Sequence, residues 1–152
     1  MMFARIENGS CAAYPADLYA ENPNTSFSSG WSGGVVNGVE YVSVLPVDVP
    51  QVPYTQNFAE GVPALISGVW TQTWVVTDAT PEQIAARTNN QSNVVRLDRN
   101  SRLAACDWTQ LPDVSIDASA WAEYRQKLRD ITDQAGFPWG VEWPLTPDEA
   151  AP

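Results

Sequence analysis

The run Gly30-Trp31-Ser32-Gly33-Gly34 has the glycine content of a loop that cradles phosphate. It lacks the spacing of the dinucleotide and P-loop motifs, and no strand–loop–helix frame surrounds it, so an ordinary loop is expected. Asp107, Asp113 and Asp117 supply carboxylates close in sequence. Their spacing is not that of a calcium loop, and Asp113 and Asp117 stand where a turn and a helix cap want aspartate. Glycoside hydrolysis needs only two carboxylates brought together by a fold, but no motif selects a pair among the 18 acidic residues. Histidine is absent, which removes most zinc sites, Ser-His-Asp and Cys-His nucleophiles, and imidazole acid–base catalysis. Cys11 and Cys106 lie far apart and form no C-x-x-C pair, so two free buried thiols are expected. These residues predict no catalytic, cofactor-binding or metal-binding group, hence no cofactor and no enzyme.

The elements that carry the remaining residues fall into two halves. Residues 1–78 predict β structure. Phe3–Ile6 is a first strand, Pro15–Asn22 a short helical turn opened by Pro15, and Asn22–Gly38 a loop rich in Gly, Ser and Asn. Val39–Leu45 has the β-branched and aromatic content of a strand. Pro46, Pro50 and Pro53 confine the next stretch to an edge or connector. Pro63–Ile66 and Val69–Thr77 flank the two-residue turn Ser67-Gly68, with Trp70, Gln72, Trp74 and Val76 on one strand face; Gln56–Gly61 is a third strand.

Residues 79–152 predict helices. Thr80, Pro81 and Gln83 form a capping box that opens a helix running to about Ala105, with a wholly polar middle, Arg87–Asn93, that marks a potential break. A second helix is capped by Asp117 or Ser119. It carries the apolar stripe Trp121, Tyr124, Leu128, Ile131 and Ala135 and stops at Gly136 in the left-handed conformation. The tail, with Pro138, Pro144, Pro147, Trp139 and Trp143, predicts an extended strap folded back over the helices. The fold class is therefore α+β: a small N-terminal antiparallel sheet or sandwich, then an α-helical domain of two main helices with a Pro/Trp-rich strap.

Charge narrows the partners. The net charge is −10, from 18 acidic and 8 basic residues. Nucleic acid and anionic membranes both draw on Lys and Arg, so neither is expected as a partner. No apolar run reaches the length of a membrane span, and residues 1–10 lack a basic region followed by an apolar stretch, so an intracellular protein without a signal peptide is expected.

Arg102-Leu103-Ala104-Ala105-Cys106-Asp107-Trp108-Thr109-Gln110-Leu111-Pro112-Asp113-Val114, then Trp121–Asp130, Gly136-Phe137-Pro138-Trp139 and Val141-Glu142-Trp143-Pro144, keep one order and spacing over about a third of the chain. This series closely resembles the phage tail assembly chaperone family. Asn22–Phe27, Gly61-Val62-Pro63 and the segment from Gly68 through Trp74 to Glu82 resemble N-terminal modules of phage tail-fibre-associated proteins. The resemblance implies a non-enzymatic chaperone in the cytoplasm of an infected bacterium, or retained on the fibre or virion. It implies binding to a tail-fibre protein and assistance in its folding and trimeric assembly. It also implies self-association, with a trimer matching a trimeric client. Within that reading, residues 1–78 hold the client through Tyr41, Tyr54, Phe58 and Trp70. Residues 79–152 carry Trp108, Trp121, Tyr124, Leu128, Ile131 and Trp143 as helical core and self-association surface. A structural virion component, such as a fibre-tip or baseplate adaptor, is the alternative, and a fibre-associated hydrolase is a more distant one.

Overall fold

Two-residue turns build the first half of the chain. In the computed structural model, which describes residues 2–150, Asn8-Gly9, Asn37-Gly38 and Ser67-Gly68 each hold two successive positive φ angles. That conformation matches the right-handed twist of flanking strands and closes a tight hairpin. Asn8-Gly9 joins β1 (Met2–Glu7) to β2 (Ser10–Ala13), and Asn37-Gly38 joins β3 (Gly33–Val36) to β4 (Val39–Val44). β1 and β4 pair centrally, giving an antiparallel sheet in the order β2-β1-β4-β3. The segment expected to be loop thus contains β3. Gly33 passes so close to β4 that a Cβ there would lie 2.7 Å from the Tyr41 carbonyl oxygen, so only glycine fits.

Alternation along β1 buries Ala4 and Ile6 on one sheet face, where they meet Val44, Cys11, Tyr14, Val42 and Trp70. The other face carries Tyr41, whose hydroxyl donates to Glu21 at 2.9 Å and accepts from Asn22 at 3.2 Å. Both partners belong to or flank α1 (Leu18–Glu21), which Asp17 caps through the Ala20 amide. The helical turn therefore starts after Pro15, contrary to the expectation that Pro15 opens it.

The predicted strand over residues 69–77 is broken at Gln72-Thr73. β6 (Ala64–Ile66) and β7 (Val69–Thr71) close on Ser67-Gly68, while β8 (Trp74–Asp78) pairs antiparallel with β5 (Gln56–Glu60). The break is held by Gln72: its side chain accepts from the Val47 amide at 2.9 Å and donates to Glu60. Trp70 and Trp74 consequently belong to different ladders.

The chain divides into two compact units, Met1–Ala79 and Thr80–Pro152. In the second, α2 (Pro81–Ala105) runs unbroken for 25 residues from the Thr80–Gln83 capping box. The polar stretch Arg87–Asn93 that marked a potential break is continuous helix; within it Ser92 is buried and Gln91 partly so, while Asn89, Asn90 and Asn93 face solvent. A 3-10 turn (Asp107–Gln110) leads to α3 (Ala118–Arg129), capped by Asp117. α3 then tightens into a second 3-10 turn (Asp130–Asp133), so it ends there and not at Gly136. Ala135 lies beyond it and is exposed. Gly136 has a different duty: a Cβ on it would overlap the Gly140 carbonyl, whose amide bonds back to Gly136 at 2.6 Å.

The tail returns over the helices as a non-helical strap. Phe137 lies under Arg96, the Pro138 carbonyl accepts from Gln91 at 3.5 Å, and Trp143 stacks beneath Arg102 with 4.3 Å from guanidinium carbon to ring centre. It closes in a short helix, α4 (Pro147–Ala150). The architecture is α+β, an antiparallel sheet region followed by a helical region with a long helix. No described helix is long and apolar enough to cross a membrane.

Candidate functional site

Gly33 and Gly34 lie in β3, so the Gly30–Gly34 run leads into a strand and not into a helix whose amides would hold phosphate. Asp117 caps α3, and Asp107 pairs with Arg125 at 2.8 Å. Cys11 and Cys106 are free thiols in separate units; Cys106 is buried, but Cys11, expected to be buried too, is only partly so, and desolvation still pushes its thiol up, which makes it less reactive.

In the helical unit, Trp121, Tyr124 and Leu128 bury one face of α3 with Cys106, and Leu103, Ile116 and Trp143 pack around them. Ile131 is fully buried in the following 3-10 turn. Trp108 differs. It is 48% exposed and meets Trp121 with ring centres 6.0 Å apart, because the 3-10 turn places it at the rim of this core. Arg125 ties the unit together from a buried position. Its Nη1 donates to the Leu103 carbonyl at 2.8 Å and to Cys106 Sγ at 3.1 Å. The Leu103 carbonyl, in the last turn of α2, also accepts from the Cys106 amide at 3.2 Å, so the guanidinium adds a second, shorter bond to it.

The four aromatics expected on a client surface do not share one face. Tyr41 is 2% exposed and belongs to the interior beneath α1, since its strand face is covered there. Trp70 is half-buried against the Ala4–Ile6–Val44 cluster. Tyr54 and Phe58 are exposed, Phe58 standing edge-on to Trp74 with centres 5.7 Å apart.

Further exposed apolar side chains are concentrated in the same stretch of the chain. Of twenty exposed large apolar side chains among the described residues, eleven lie between Leu45 and Val76, about a fifth of the chain. Leu65 (58% exposed), Ile66 (52%) and Val69 line the β6–β7 hairpin, Val75 and Val76 the β5–β8 ribbon, and Leu45, Val47, Val49 and Val62 the connections. An apolar depression of about 510 Å³ is lined by Met2, Val44, Leu45, Pro46 and Val69 among others. Contiguous exposed apolar patches mark interaction surfaces, and this stretch holds the densest run of exposed apolar side chains among the described residues. Adjacent strand residues point to opposite faces, so the doublets Leu65-Ile66 and Val75-Val76 make both faces apolar in ladders of two strands, too thin to cover either.

At one end of this region Tyr14, Glu60, Gly61, Val62 and Cys11 line a smaller cavity of about 280 Å³. Burial, followed by the hydrogen bond to the Glu60 carboxylate and its charge, pushes the Tyr14 phenol up to about 12.

Comparison with known proteins bears on the helical unit. No significant match was found among curated proteins or solved structures. Residues 92–148, which span the second half of α2, the Arg125 clasp, the buried face of α3 and the strap, match the family model described as phage tail assembly chaperone protein.

Proposed function

We propose that this chain is a non-enzymatic chaperone for a phage tail-fibre protein, holding its client on the apolar surface of residues 45–78 and using the helical unit for docking and self-association. The family match over residues 92–148 supports a chaperone role in tail assembly. The observation that carries the finer reading is the concentration of exposed apolar side chains on the thin ladders β5–β8 and β6–β7. Subunits of an intertwined fibre expose strand edges and apolar faces before assembly, and such surfaces mispair. A surface that covers them needs no catalytic group, only apolar area and a strand edge to lend. Exposed Val94 and Leu97 on α2, on the side of the helix opposite Ser92 and Val95, give the helical unit a surface for self-association.

The test is co-expression of a tail-fibre gene with and without the chain, followed by sedimentation. The proposal expects soluble, trimeric fibre protein only when the full chain is present, with the two proteins co-purifying before assembly completes. An equal yield of soluble trimer without the chain contradicts it. Stoichiometric recovery in mature particles, with no effect on fibre folding, would assign the chain to the virion as a structural component instead.

A further inference from the structure

We infer that the surface of residues 45–78 takes an extended partner segment that is apolar on one face and rich in lysine or arginine on the other, added as a strand beside β6. The inference rests on the client-binding reading above and adds the chemistry of the bound segment. Between Leu45 and Asp78 there is no Lys or Arg, while Asp48, Glu60 and Asp78 are all acidic. Over residues 1–78 the acids are Glu7, Asp17, Glu21, Glu40, Asp48, Glu60 and Asp78 against Arg5 alone. Arg5 is already committed, with Nε 3.2 Å from Glu7 and Nη1 3.2 Å from Glu21. The side chains of residues 45–78 therefore give this stretch a net negative charge with no basic side chain of its own.

Two of the carboxylates stand around the hairpin. Asp48 follows Val47, whose amide donates to Gln72, and Glu60 accepts from the same Gln72 side chain just beyond β7. A second copy of this unit would bring acid against acid, which disfavours self-pairing here. A segment with cations on one face meets complementary charge, and its approach is accelerated by it. The geometry of the site suits a strand: β6 has β7 on one side and no strand on the other among the described residues. Leu65 and Ile66 present apolar contacts above and below that edge. An added strand would place alternate residues on opposite faces, apolar ones against the hairpin and basic ones toward the carboxylates.

The test uses the full chain and three fluorescent ten-residue peptides, each with valine on one face and lysine, serine or glutamate on the other, in an anisotropy titration. The lysine peptide is expected to bind about tenfold or more tighter than the serine peptide, and the glutamate peptide weakest. The lysine advantage should shrink as salt shortens the screening length. A proline at the centre of the lysine peptide should abolish binding, because it blocks strand addition. The charge-reversed chain Asp48→Lys/Asp78→Lys should lose the lysine preference. The milder Asp48→Asn/Asp78→Asn should reduce it, and Asp113→Lys/Glu123→Lys in the helical unit should leave it intact. Equal binding by all three peptides, binding by none, or a preference unmoved by the Asp48 and Asp78 changes overturns the inference. If the fibre protein still co-purifies with Asp48→Lys/Asp78→Lys at full yield, the charge inference fails while the client-binding reading stands.

Discussion

Arg125 Nη1 donates to the Leu103 carbonyl at 2.8 Å, reaching from the middle of α3 to the C-terminal end of α2. The guanidinium is buried, and its second arm meets Asp107 at 2.8 Å. Hydrogen bonds to a charged group contribute more than neutral ones, and removing the donor leaves the Leu103 carbonyl only its longer bonds from Cys106. Arg125→Met should cost about 2–4 kcal/mol in urea unfolding. Asp107→Asn should cost less than about 1 kcal/mol, because that carboxylate is largely in water. Equal losses would show that the ion pair, not the carbonyl bond, fastens the two helices.

The core of the helical unit should separate two tryptophans of the same motif. Trp121 is buried at its centre, whereas Trp108 is half exposed at its rim. Trp121→Ala and Leu128→Ala should each cost about 3–5 kcal/mol through lost burial and the cavity left behind. Trp108→Ala should cost less than half of that in the same thermal or urea melt. A larger loss from Trp108 would mean that the surface around it is covered in solution.

Alkaline pH should destabilise the β unit through two phenols. Tyr14 is pushed up to about 12, by burial first and Glu60 second, and Tyr41 is raised by burial, its bond from Asn22 only partly offsetting this. A raised pKa in the folded state means that the stabilising term is complete below the unfolded value near 10 and is lost as pH rises through the folded value. Stability should therefore fall between pH of about 10 and about 12, and tyrosinate absorbance should show a late component that Tyr14→Phe removes. A single transition near the unperturbed value in the folded protein would contradict this.

Self-association should respond to α2. Val94→Asp with Leu97→Asp places two charges on the exposed face of the helix while leaving the packed face untouched. Light scattering should show a smaller species for this variant than for the unaltered chain. An unchanged oligomer would move the contact elsewhere.

Much of this fold is legible in local chemistry. Thr80, Pro81 and Gln83 announce α2, Asp117 announces α3, and the spacing of Trp121, Tyr124 and Leu128 gives the buried face. Ser67-Gly68 marks its hairpin because apolar strands flank it. Asn37-Gly38 is an equally strong turn signal, but β3 begins with two glycines and carries little strand propensity of its own; it is a strand because β4 pairs with it. Gly136 resembles a helix stop and so predicts too late an end for α3, while its real constraint is the approach of Gly140, a contact that no local rule contains. Exposure was the least legible property. Tyr41 and Tyr54 are the same residue type, yet Tyr41 lies buried in β4 beneath α1 and Tyr54 lies exposed in the turn before β5. The doublets Leu65-Ile66 and Val75-Val76, together with the lack of Lys and Arg from residue 45 to 78, were the available clue to the apolar surface.

The most direct measurement is capture of co-expressed tail-fibre protein by tagged full-length variants. Leu65→Asp/Ile66→Asp charges the apolar hairpin, while Val35→Asp places a charge on an exposed apolar site of β3 in the same unit but outside residues 45–78. Both variants should fold, since all three side chains are more than half exposed. The account predicts that Leu65→Asp/Ile66→Asp captures less than about a tenth of the fibre protein held by the unaltered chain, the scale expected when anchors of an interface are lost, while Val35→Asp captures it in full. Full capture by Leu65→Asp/Ile66→Asp, with loss only on altering the helical unit, would contradict it.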